Sequence, residues 1–121
     1  MSQGKERQTQ EVFDHHMQVY LAKDLDGILS DYTEESVVIV NVAPEPLRGL
    51  AAIRGLYTQA MEILTPDVLS QIKIARQAVD GEIAYIAFSA GMALPFISDT
   101  FVIRGGKIVA QTTAVQMGQG S

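Results

Sequence analysis

The sequence predicts an α+β domain in which three helices pack on one face of a later antiparallel sheet. Three observations predict it. Apolar residues recur at three- and four-residue steps through the first half of the chain, as on a helix face. The second half is rich in β-branched runs and carries two hairpin turn signals, Asp80-Gly81 and Gly105-Gly106. The resulting element order is ααβαββββ. A chain of 121 residues builds one hydrophobic core. A single domain is therefore expected over 1–121, with an ordered part of about 5–117.

The first helix is expected from Lys5 to Ala22. Phe13, Met17, Tyr20 and Leu21 fall at i, i+4, i+7 and i+8, on one face. Asp24 is a suitable N-cap for a short second helix, LDGILSDY. The run SVVIVNV, 36–42, reads as a strand that Pro44 and Pro46 end. Gly49 opens a third helix carrying Leu50, Ile53, Leu56, Tyr57, Ala60, Met61 and Leu64, and Thr65-Pro66-Asp67 stops it. Strands are expected over 68–79 and 82–93, then over 98–104 and 107–117, with Leu94-Pro95-Phe96 linking the two hairpins.

Several of these strands are apolar on both faces, and three helices cover only one face of such a sheet. A homodimer through the outer sheet face is the expected answer. Its alternative is a monomer whose outer face tolerates Thr, Ser and Gln among its valines.

Composition excludes other classes. The net charge is −5, and Lys and Arg nowhere cluster, so no nucleic-acid partner is expected. There is no cysteine, which removes thiolate chemistry, disulfides and Cys-based zinc sites. The polar start MSQGKERQTQ reads as no signal peptide, and no apolar run approaches membrane length. A cytoplasmic protein without membrane contact is expected. Ligands for a metal are absent at workable spacing, no Gly-rich phosphate loop or Ser nucleophile elbow occurs, and no cofactor is expected.

Both histidines stand together in EVFDHHMQVYLAKDLDG, 11–27. Helical neighbours point about 100° apart, so the two rings cannot line one pocket. With Phe13 at the middle of the apolar face, His16 points inward and His15 to solvent. His16 admits two readings: a core histidine bonded through one ring nitrogen, or a pocket acid–base. Alternation puts Asp99, Phe101 and Ile103 on one strand face, and a buried Asp99 would need a partner or a proton. A two-residue Gly-Gly turn pairs Asp99 with Thr112; a three-residue loop with a bulge pairs it with Gln111.

The order ααβαββββ resembles the nuclear transport factor 2-like superfamily, which includes SnoaL-like polyketide cyclases and ketosteroid isomerases. KDLDGILSDYTEESVVIV followed by EPLRGLAAIRGLY is similar to the corresponding part of bacterial ketosteroid isomerases. SDTFVIRGGKIV resembles their closing hairpin. The likeness spans about 12–115. It implies a cone-shaped α+β barrel, with three helices on a curved, mainly antiparallel sheet around a deep pocket. By that resemblance the oxyanion-hole Asp of the isomerase falls on Asp99, its catalytic Tyr on His16, a supporting Tyr on Tyr57, and its general base on Val40. Val40 takes no proton, so the isomerase mechanism as such is not expected. The resemblance also favours Gln111 as the residue opposite Asp99.

The expected catalytic set is His16, Asp99 and Tyr57. Phe13, Tyr20, Val40, Phe101 and Gln111 are expected to line the pocket. The expected partner is a small apolar molecule, and the expected chemistry is proton transfer next to a carbonyl, of isomerase or cyclase type. The alternative is a non-catalytic dimeric protein that binds an apolar ligand or a protein partner. Two further residues are assigned lesser roles: Tyr32 to packing, and Arg54 to a surface ion pair.

Overall fold

The computed structural model describes residues 2–118. Its elements are α1 (Ser2–Leu21), α2 (Leu25–Leu29), β1 (Val37–Val40), β2 (Leu47–Arg48), α3 (Gly49–Ile63), α4 (Pro66–Leu69), β3 (Ile72–Asp80), β4 (Ile83–Ala90), β5 (Leu94–Arg104) and β6 (Lys107–Gln116). The strands form one sheet in the order β2-β1-β6-β5-β4-β3. Only β1 and β6 run parallel; every other neighbouring pair is antiparallel. The sheet is open, with β2 and β3 as its edges, so the expected barrel is a half-wrapped cone rather than a closed one. Bulges in β3, at Ile74/Arg76, and in the β5–β6 pair, at Val102/Ile103, bend it around the helices.

Local chemistry explains most boundaries. Asp24 caps α2 by accepting from the Gly27 amide. Thr65 caps a short α4 that the sequence reading missed: its hydroxyl accepts from the Val68 amide, and Pro66 occupies the first turn. That helix delays β3 to Ile72 instead of 68. At the other hairpin, β5 begins at Leu94 and absorbs the expected linker. Pro95 precedes the first registered pair, Phe96 with Gln116, where its missing amide harms no ladder bond. Asn41 and Val42 lie beyond β1, yet Asn41 extends the ladder with its side chain, which bonds both N–H and C=O of Val115. The two-residue strand β2 was not foreseen either.

The helices bury one face against the concave side of the sheet. On α1 that face is Thr9, Phe13, His16 and Val19, whereas Leu21, expected on it, is half exposed. Ile53, Tyr57 and Leu64 face inward from α3 and just past its end. The sheet contributes Val38, Val40, Ile86, Phe88, Ile97, Phe101, Ile103 and Ile108. Along β5 the odd-numbered residues from Ile97 to Ile103 are buried, which sets Asp99 into the interior.

Gly105 and Gly106 have φ values of 60° and 77°, the left-handed pair a two-residue hairpin loop requires. That loop pairs Arg104 with Lys107. The bulge then adds one residue to β6, so Asp99 stands opposite Thr113 and not opposite Gln111 or Thr112. Gln111 faces Phe101 instead.

Candidate functional site

A cavity of about 160 Å³ lies between α1, α3 and the concave face of the sheet. Its walls are hydrocarbon, from Val40, Leu56, Phe88, Leu94 and Ile97. Exposed Val42, Gln59 and Met117 mark its mouth. Buried His16, Tyr57, Asp99 and Gln111 and half-buried Thr113 form one polar cluster on its wall. The expected catalytic residues His16, Tyr57 and Asp99 thus share this cavity. Of the expected lining, Tyr20, Val40 and Gln111 face it. Phe13 and Phe101 do not. Their rings pack on each other at 5.9 Å, and Phe101 backs the His16 ring at 5.1 Å, so they are core behind the site.

Hydrogen bonds join the cluster. Thr113 Oγ1 donates to Asp99 Oδ1 at 2.5 Å. Gln111 Nε2 donates to Thr113 Oγ1 at 2.9 Å and lies 3.4 Å from Asp99 Oδ1. Tyr32 donates to Gln111 Oε1 and lies 2.6 Å from the Tyr57 hydroxyl. Tyr57 meets His16 Nε2 at 3.4 Å. Tyr32, read from the sequence as packing, is therefore a full member of the polar chain.

Burial governs the electrostatics. It pushes the Asp99 carboxyl above the usual carboxylate range, against the opposing effects of the Thr113 hydrogen bond, the His16 charge and Gln111. Burial, then the Asp99 charge, raises the Tyr57 and Tyr20 phenols well above their ordinary value. Burial and Tyr57 do the same for Tyr32. All three remain neutral donors in the physiological range.

The second histidine carries a correction. His15 is exposed on α1 as expected, but its Nδ1 bonds both carboxylate oxygens of Asp31, at 2.8 and 3.0 Å. Asp31 is buried, and its Oδ2 also stands 3.6 Å from Nδ1 of His16. Sequence reasoning gave Asp31 no role. Its only local signal is a charged residue following the buried pair Ile28-Leu29, which does not reveal a contact with α1.

Val40 faces the cavity where the resemblance puts a general base, and Asn41 is turned to the Val115 backbone. That wall offers no proton acceptor. Among the described residues no group of three or more His, Cys, Asp or Glu could hold a metal ion. Nor is any described helix long and apolar enough to cross a membrane.

No protein-family model and no curated protein matches the chain. Solved structures do match, across nearly its whole length. A protein of unknown function from Mesorhizobium loti, described as nuclear transport factor 2-like, superposes with a TM-score of 0.75 at 19% identity, covering 93% of each chain. The chain has the nuclear transport factor 2-like fold. A SnoaL-like protein of unknown function from Burkholderia thailandensis gives a TM-score of 0.71 at 17% identity, over 92% of this chain and 96% of that one. A candidate ketosteroid isomerase from Kribbella flavida gives 0.69 at 12% identity, over 97% and 84%. At such identities the likeness is one of nuclear transport factor 2-like architecture, and the chemistry has to be argued from the cavity.

Proposed function

We propose that the chain binds a small apolar carbonyl compound in its cavity and transfers a proton next to the carbonyl, with His16 and Asp99 as the acid–base pair. One observation carries this reading: an otherwise hydrocarbon cavity joins His16, Tyr57 and Asp99 through Gln111 in a single hydrogen-bonded cluster. An apolar wall binds the body of a ligand, and the cluster orients its one polar end. Burial raises the Asp99 carboxyl, which makes it a stronger proton acceptor than an exposed aspartate. The cavity, at about 160 Å³, is close to the ~150 Å³ engineered cavity that holds benzene. The size supports a ligand built around one ring or a short branched chain, with any larger part projecting through the mouth.

The test follows the proton itself. Cyclic and branched ketones of one-ring size are incubated with the protein in heavy water, and deuterium uptake beside the carbonyl is read by mass spectrometry. Uptake by the wild type is expected, with His16→Ala slower by about 100-fold or more while still folded. Absence of uptake across the panel rejects the reading.

A second reading is favoured by Val40, the hydrocarbon side chain at the position of the isomerase base. In it the cavity only binds. The same ketones would then raise the melting temperature with no deuterium taken up.

A further inference from the structure

We infer that Tyr20 selects the ligand: its hydroxyl is the donor that receives the ligand's acceptor oxygen, so that the oxygen enters the cavity first and the apolar body follows. The inference rests on the binding half of the reading above, a small apolar carbonyl compound in the cavity, and takes nothing from its proton transfer.

Most polar atoms of the cluster are already engaged with one another. Tyr32 bonds Gln111 Oε1 and the Tyr57 hydroxyl. Gln111 Nε2 is directed to Thr113, Asp99 and Tyr57. Thr113 donates to Asp99. Any of these that turned to a ligand would leave a buried neighbour unsatisfied. Tyr20 is different. It is half-buried and lines the same cavity, yet its hydroxyl has no hydrogen-bond partner among the described residues. Nor is that oxygen sealed in: the fully buried side-chain atom without a partner is Nδ1 of His16. An unbonded O–H that reaches open space keeps its hydrogen for whatever occupies that space.

Aromatic rings hold the donor still. The Tyr20 ring stacks on His16 at 6.4 Å and meets Tyr57 and Phe88 edge-on at 6.3 and 6.4 Å. Met17, Tyr20 and Phe88 also wall a smaller compartment of about 70 Å³ between α1, β3 and β4. The ring is therefore a partition packed from both sides. Burial first, and then the Asp99 charge and Tyr57, raise its phenol, which sets the hydroxyl on the cluster side of the partition. A donor fixed before binding leaves the ligand less ordering to offset.

The position of Tyr20 sets the ligand's orientation. Val42, Gln59 and Met117 mark the mouth, beside the ends of β1 and β6 and on α3. Tyr20 packs on Phe88 of β4, two strands along the sheet from β6. A ligand entering at the mouth meets Tyr20 with its leading end. The class that fits carries its oxygen at one end of the apolar body, as a methyl ketone or a cyclic ketone does. An oxygen in the middle of a long chain stops short of the donor. A hydrocarbon of the same shape gives the hydroxyl no partner, and a polar group left unpaired by the wrong ligand is what discriminates.

Acetophenone and α-methylstyrene test this, because they share one shape and differ only in C=O against C=CH₂. Dissociation constants are read by ligand-observed NMR titration of the wild type and of Tyr20→Phe, which keeps the ring and removes the oxygen. Acetophenone is expected to bind Tyr20→Phe about tenfold more weakly than the wild type, with α-methylstyrene unchanged or tighter. Equal loss for both compounds would reduce Tyr20 to a packing wall and overturn the inference. No loss for either would place the donor elsewhere and overturn it too, as would a wild type that binds neither. A structural control accompanies the titration. The hydroxyl bonds nothing in the protein, so Tyr20→Phe should keep the wild-type urea midpoint, and a marked drop or a failure to fold would show a partner within the chain and overturn the assignment. The two readings fail separately. Absence of deuterium uptake with the ketone preference intact removes the proton transfer and leaves Tyr20. Uptake by the wild type with ketone affinity unmoved by Tyr20→Phe removes Tyr20 and leaves the proton transfer.

Discussion

Thr113 and Asp99 face each other across the β5–β6 pair, and the threonine hydroxyl donates to the carboxylate at 2.5 Å. The bond exists because one extra residue in β6 shifts the register after the Gly105-Gly106 turn. It partly offsets the burial of a carboxyl that has no full ion-pair partner on the cavity side.

That burial has a pH signature. The Asp99 carboxyl binds its proton more tightly folded than unfolded. Below the ordinary value of 3.8 both states are protonated, and nothing is lost. As pH rises from there through the folded value, the unfolded chain gives up its proton first and stability falls. Above the folded value the loss is complete. Asp99→Asn should therefore gain melting temperature relative to the wild type as pH is raised from about 3 to 7. A difference that is flat or narrows over that range would contradict the assignment.

The Tyr32–Tyr57 pair should behave as a unit. Removing either hydroxyl leaves a buried partner unsatisfied, so Tyr32→Phe and Tyr57→Phe should each cost about 1–3 kcal/mol in urea unfolding. The double variant should cost less than the sum, by about 0.5 kcal/mol or more. Strict additivity would mean the hydroxyls are not coupled.

The β5–β6 turn sets the register that brings Asp99 to Thr113. A Cβ at Gly105 or Gly106 meets no atom within 4 Å, so substitution there is penalised by backbone conformation alone. Gly106→Ala should cost about 1–2 kcal/mol without altering the cavity. A neutral result would show that the loop does not hold its left-handed pair in solution.

The outer sheet face bears on assembly. The outward residues of β1, of β4, of β5 from Phe96 to Val102 and of β6 from Ala110 to Gln116 include no charged side chain. Ile39 and Phe96 stand 50% and 43% exposed on it. We propose that a second copy covers this face. Sedimentation should give twice 13.1 kDa, and Ile39→Asp should return the monomer. A monomeric wild type at high concentration would reject the dimer.

Much of the architecture was determined locally, and for that reason it was legible in the sequence. Asp24 caps α2 through an amide three residues away, the two glycines form a hairpin loop between adjacent strands, and helical spacing turns His16 inward. Such signals act over a few residues and need no knowledge of the rest of the chain. The site was decided elsewhere. Tyr32 meets partners 25 and 79 positions away, and Asp31 joins two histidines of a different helix. A single bulge moved Asp99 from Thr112 to Thr113, and packing sent Phe13 and Phe101 behind the pocket. A polar side chain in an interior takes whichever partner the fold brings within about 3 Å, and that distance is a property of tertiary packing, not of neighbouring residues.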